Sequence, residues 1–123
     1  MRKIVLCFMA ILVLFVGCGK KESKETAADG KEVKTIGISM PTKSMQRWID
    51  DGNNMVKAFE ELGYKVDIQY AEDVVENQVS QIENMISKKV DALVVAPIDG
   101  ESLSNVLQAA VTNNITLASY DRL

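Results

Sequence analysis

Ala92-Leu93-Val94-Val95-Ala96-Pro97 decides how the rest of the chain is read. Five uncharged, mostly apolar residues run without polar alternation and are closed by a proline, the pattern of a strand buried on both faces. Strands of that kind sit in parallel sheets, and parallel neighbours need a crossover long enough to hold a helix. The flanking sequence supplies one on each side. Upstream, Val75, Val79, Ile82 and Ile86 recur at helical spacing. Asp73 and Glu76 predict a capping box at the start of that helix, and Lys88 and Lys89 put cations at its C-terminal end. Downstream, a helix from about Ser102 to Thr112 turns Leu103, Val106, Leu107 and Ala110 inward and ends at Asn113-Asn114. Ile115 to Ser119 predicts the next strand.

Further out the same alternation continues. Lys65 to Tyr70 alternates in polarity and predicts a strand near the sheet edge. Before it, Trp48, Ile49, Met55, Val56, Phe59 and Leu62 form an apolar helical face that stops at Gly63. Thr42 or Ser44 is the expected cap. Gly52 falls on the same face, where a missing side chain admits close approach to a sheet. Thr35 to Met40, stopped by Pro41, is the first strand. The order βαβαβαβ, with about 25–30 residues from strand to strand, defines a doubly wound α/β fold with a parallel sheet. Ligands in such folds bind beyond the carboxyl ends of the strands. Four segments fall there: Pro41-Thr42-Lys43-Ser44, Ala71-Glu72-Asp73, Pro97-Ile98-Asp99-Gly100 and Tyr120-Asp121-Arg122. The folded segment holds four strands and three helices with nothing to cover the fourth strand, so a fragment of a longer protein is expected, one that folds poorly and binds weakly alone.

The first residues are of another kind. Arg2 and Lys3 precede an uncharged apolar run, Ile4 to Val16. At about 13 residues it is short of the roughly 20 that a spanning helix needs and fits the apolar region of a secretory signal. Phe15-Val16-Gly17-Cys18 resembles the cleavage site of bacterial lipoproteins, although Phe15 stands where that family usually has leucine. The resemblance implies a signal peptide over 1–17 and a diacylglycerol on Cys18. A plain secretory signal or an uncleaved anchor is the alternative. Residues 18–33 are polar, mixed in charge and poor in large apolar groups, and read as a flexible tether. The α/β domain is expected over 34–123.

Composition narrows the chemistry. The 123 residues include no histidine, and the two cysteines, Cys7 and Cys18, both precede the domain. Histidine-based catalysis, histidine metal sites and a stapled core are therefore not expected. From Val33 onward the chain carries 8 basic and 13 acidic residues, which leaves no basic face for nucleic acid. No phosphate loop and no nucleophile elbow is present, so an enzyme is not expected, nor a cofactor or a metal. The polar groups at the strand ends suit a neutral polar ligand. Trp48 can stack on the apolar face of a pyranose, or simply fill the core. Arg47 can donate to hydroxyls, or remain a solvated charge. Asp121 and Arg122 set an acceptor beside a donor fork, which sugar hydroxyls use together, or form a surface pair in a turn. Lys43 and Asp99 are weaker candidates of the same kind.

Five blocks then stand in order: Met40-Pro41-Thr42-Lys43-Ser44, Arg47-Trp48, Asp50-Asp51-Gly52-Asn53-Asn54, Gln81-Ile82-Glu83-Asn84-Met85 and Tyr120-Asp121-Arg122-Leu123. From about Lys34 to the end the chain closely resembles the sugar-binding lipoproteins and periplasmic proteins of ABC transporters, nearest to the xylose-binding and multiple-monosaccharide-binding type. The resemblance implies the partial N-terminal domain of a two-domain, hinged solute-binding protein. It implies that Lys43, Arg47, Trp48, Asp121 and Arg122 contact a monosaccharide of the xylose, glucose, galactose or arabinose class. It further implies delivery to an ABC permease, from an exported protein that the lipid on Cys18 holds at the cell membrane. A sugar or autoinducer receptor signalling to a chemoreceptor or sensor kinase is the alternative on the same scaffold.

Overall fold

The computed structural model describes residues 30–122. The expected signal peptide, Cys18 and most of the expected tether lie outside them. At the tether's end, Glu32 makes an isolated β-bridge and Val33 is half-buried.

Seven elements follow in the expected order: β1 (Thr35–Met40), α1 (Gln46–Glu61), β2 (Lys65–Tyr70), α2 (Val75–Ser87), β3 (Ala92–Val95), α3 (Gly100–Thr112) and β4 (Thr116–Ser119). The strands form one parallel sheet in the order β2-β1-β3-β4. The chain moves one way from β1 to β2 and the other way from β2 to β3 to β4. Right-handed crossovers therefore put α1 on one face and α2 with α3 on the other. Strand alternation sorts the side chains accordingly. Ile36, Ile38, Met40 and Ala96 pack with Trp48 of α1, whereas Leu93 and Val95 pack with Ile82, Met85, Leu103, Val106 and Ala110 of α2 and α3. Gly37 faces α2, and a Cβ there would stand 2.9 Å from Met85 Sδ. β2 is an edge strand, as expected. β4 is the other edge and is mostly exposed.

Three helix ends share one device. Gly63, Lys89 and Asn114 all adopt positive φ, at 87°, 58° and 60°. In each case the next residue's N–H reaches back to a carbonyl of the last turn: Tyr64 to Phe59, Val90 to Met85 and Ile115 to Ala110. This is the Schellman closure, and an apolar contact accompanies it. The Phe59 and Tyr64 rings meet edge to face at 6.2 Å, and Val90 and Ile115 join the core beside Met85 and Ala110. Gly63 and Asn113-Asn114 announce their ends in sequence. Lys89 does not, because lysine has no preference for that conformation. Lys88 is not simply a dipole partner either: its Nζ lies 2.9 Å from Asp67 Oδ2 on β2.

Several starts differ from expectation. α1 begins after Met45 with no side-chain cap. Thr42 instead accepts the Ser44 N–H at 3.0 Å and closes the preceding loop. The Asp73–Glu76 box does not form, since α2 begins after Val74 without a side-chain cap. Glu72 and Asp73 both have positive φ, and the Asp73 N–H is taken by the Pro41 carbonyl at 2.9 Å. α3 starts at Gly100, two residues before Ser102, because Asp99 caps it by accepting the Ser102 N–H at 2.8 Å. The buried face of α2 is Gln78, Ile82 and Met85, with Val75, Val79 and Ile86 at its margin. Leu62, expected inward, caps α1 and is exposed.

Candidate functional site

The four strands end at one edge of the sheet, and backbone bonds carry the pairing past them. Ala71 N–H reaches the Met40 carbonyl at 3.0 Å, Ala96 N–H reaches Ser39 at 2.9 Å, and Tyr120 N–H reaches Val95 at 2.8 Å. Beneath this edge lies Gln78, fully buried on α2. Its Nε2 donates to Ser39 Oγ and to the Ala96 carbonyl, each at 3.0 Å, and its Oε1 accepts the Ile98 N–H at 2.9 Å. One side chain thus ties together the ends of β1 and β3 and the loop into α3. Asn77 and Gln81 hold the end of β2 in the same way, donating to the carbonyls of Ala71 and Tyr70. Buried polar groups of this kind are costly unless paired, and here the pairing fixes the loops that border the edge.

Four of the predicted site residues come together above it. The Arg47 guanidinium on the first turn of α1 is paired with the Asp121 carboxylate beyond β4. Its Nε lies 3.4 Å from Asp51 Oδ2, one turn along the helix. Hydrogen bonding to Asp121, then the charges of Asp121 and Asp51, hold Arg47 still more firmly in its protonated form. Asp121 has φ 65°, and the Arg122 N–H bonds across it to the Tyr120 carbonyl at 2.7 Å. That is a γ-turn in its less common, strained sense, closed further by Ser119 Oγ donating to the Arg122 carbonyl. The turn sends Arg122 back over α1. The Arg47 and Arg122 guanidiniums lie 4.8 and 5.5 Å from the centre of the Trp48 ring.

Trp48 itself is only 2% exposed. The open stacking face expected of it is not there: the core takes part of the ring and the guanidiniums lie over it, as a ring quadrupole favours. Lys43 is held by a different group, its Nζ 5.1 Å from the centre of the Tyr70 ring. Asp99 is committed to capping α3. Gln78, Asp51, Tyr120 and Tyr70 take part here without having been singled out. Tyr120's hydroxyl is pushed up in pKa chiefly by the Asp51 carboxylate that it faces. Asp51 and Tyr120 stand inside quoted sequence blocks, and Gln78 is a polar residue inside a buried helical face.

A doubly wound sheet with donors and acceptors gathered over its carboxyl edge defines a ligand-binding α/β scaffold. The chain belongs to the periplasmic binding protein domain family, which it matches over residues 36–123. It is 50% identical over 115 residues to a multiple sugar-binding periplasmic protein of Azospirillum brasilense, covering 94% of this chain and 31% of that protein. It is 54% identical over 89 residues to a multiple sugar-binding periplasmic receptor of Rhizobium radiobacter, covering 72% of this chain and 25% of that one. Among solved structures, an ABC transporter solute binding protein from Clostridium phytofermentans with bound β-D-glucose superposes with a TM-score of 0.72 at 52% identity. That match covers 73% of this chain and 28% of the structure. The chain therefore spans less than a third of the length of these relatives.

Proposed function

We propose that this chain supplies the first-domain half of a monosaccharide pocket in the substrate-binding component of an ABC import system. The supporting observation is the cluster of Arg47, Asp121 and Arg122 over Trp48 at the carboxyl edge of the sheet. Two guanidinium forks and a carboxylate offer donors and an acceptor to the vicinal hydroxyls of an aldose. Lys43 stands over Tyr70 as a further donor. Trp48 serves as the platform that holds the two forks in register. Selectivity follows because a wrong epimer leaves one of these groups without a partner. The second half of the pocket comes from a second domain closing over the sugar, and the permease is the partner that receives it. No covalent step is involved. The word receptor in the Rhizobium radiobacter relative's name favours, as a second reading, a signalling output to a chemoreceptor or sensor kinase from the same pocket.

The test is a chimera in which residues 34–122 replace the matching segment of the glucose-bound Clostridium phytofermentans protein. The chimera is expected to bind glucose or xylose by calorimetry. Arg122→Ala in it is expected to weaken binding by about 1.5–3 kcal/mol, the range for hydrogen bonds to charged groups. A chimera without sugar binding, or an unchanged affinity in Arg122→Ala, overturns the reading.

Export and a lipid anchor on Cys18 complete the proposal, supported by the charged, apolar and small-residue pattern that ends at that cysteine. Cys18→Ser is expected to release the protein from the membrane fraction. Retention there with unchanged processing argues against the anchor.

A further inference from the structure

We propose that Tyr70 is a positioning residue of the half-site: together with Gly52 it fixes where the Lys43 ammonium stands. The functional part of this inference rests on the sugar-binding reading above. Tyr70 is the last residue of β2, in register with Met40 of β1. Strand alternation places it with Ile68 on the α1 side of the sheet, against the cluster that contains Trp48. Three contacts hold Tyr70, one at its backbone and two at its ring. Its carbonyl is held from the other face by Gln81 Nε2 at 3.0 Å. Its hydroxyl lies 3.5 Å from the Trp48 carbonyl, the far limit of hydrogen bonding. Its face carries the Lys43 ammonium at 5.1 Å.

Gly52 is what makes room. A Cβ at that position would stand 2.3 Å from the Tyr70 hydroxyl oxygen and 2.9 Å from Ile68 Cδ1. Without it the ring lies against α1, between the turn that carries Arg47 and Trp48 and the loop that carries Lys43. That loop is itself fixed, since Pro41 and Thr42 are buried and Thr42 accepts the Ser44 N–H. The lysine stem therefore leaves from a set point, and the ring sets where its tip comes to rest.

The choice of an aromatic partner has a chemical consequence. Among the described residues Lys43 has no acidic partner. A carboxylate would hold the ammonium by accepting one or two of its N–H groups. A ring face attracts the charge while taking up at most one N–H, so the other donors stay available. Burial raises the pKa of the Tyr70 hydroxyl, so the ring under the cation stays neutral. A cation oriented in this way can present its donors to ligand hydroxyls without first breaking an ion pair.

The experiment is a double-mutant cycle in the same chimera, read by calorimetry with glucose and xylose. Tyr70→Phe keeps the ring and is expected to bind within about twofold of the parent. Tyr70→Leu removes the π face and is expected to weaken binding about two- to fivefold, the scale of an exposed cation–π contact. In a Lys43→Met background that loss is expected to vanish, because the ring then has nothing to position. Gly52→Ala displaces the ring from the α1 side and is expected to behave as Tyr70→Leu does, which keeps the test open if the leucine variant does not fold. A merely structural tyrosine would give equal losses with and without Lys43, and that result overturns the proposal. A parent chimera that binds no sugar overturns the sugar-binding reading and this proposal with it. A parent that binds while the cycle is additive removes only the role of Tyr70.

Discussion

Gln78→Leu is expected to destabilise the domain by about 3 kcal/mol or more, although leucine is apolar, similar in size and a good helix former. The substitution strands three groups that the glutamine now satisfies, Ser39 Oγ, the Ala96 carbonyl and the Ile98 N–H. An unsatisfied buried donor or acceptor costs about 1–3 kcal/mol. The Ser39 hydroxyl can turn toward another acceptor, but the two backbone groups cannot leave. Urea unfolding of the chimera and its variant measures the difference. A loss below about 1 kcal/mol would mean that water or a neighbour replaces the amide, and the view of Gln78 as the tie between strand ends would be wrong. Because Ile98 opens the loop into α3, the variant is also expected to loosen that loop, seen as faster amide hydrogen exchange at Ile98 and Ser102 than in the parent.

Trp48→Ala is expected to cost about 3–5 kcal/mol, the range for removing a large aromatic from a core. The ring is nearly buried among Ile36, Ile38, Met40 and Ala96. Its loss opens a cavity under α1 and leaves Arg47 and Arg122 without their platform. Trp48→Phe is expected to recover much of the stability and to keep an aromatic face for the guanidiniums. The pair separates two roles. If Trp48→Phe restores stability but not sugar affinity in the chimera, the indole contributes to recognition beyond filling space. A thermal melt of Trp48→Ala within a few degrees of the parent would show that the ring is dispensable to the core.

The fold was legible because its strongest signals are apolar runs whose length and period leave few choices. Ala92 to Val95 could only be an inner strand, and the stripe at Leu103, Val106 and Ala110 could only face it. The helix starts were less legible. Thr42, Ser44 and Asp73 have the chemistry of caps, but the fold assigned their groups to other partners. The Asp73 N–H belongs to the Pro41 carbonyl, a partner that exists only once β1 and β2 lie side by side. Gln78 escaped for a related reason: a periodicity argument counts apolar positions and passes over the polar one among them. At the site, Arg47, Trp48, Asp121 and Arg122, grouped in the sequence by the family resemblance, lie together in the structure. Their arrangement was not readable. Arg47 and Asp121 are 74 positions apart, and only the turn at Asp121 shows that Arg122 folds back over the indole.

That indole is the chain's one tryptophan, and its excited state is sensitive to the electric field along its long axis. Two positive charges beside it, 4.8 and 5.5 Å from the ring centre, and the carboxylates paired with Arg47 contribute to the field that tunes its emission. A ligand that draws either guanidinium away to its own oxygens changes that field and shifts the emission. Excited on the red side of the tyrosine band, the single tryptophan reports any such movement of the two guanidiniums without a label.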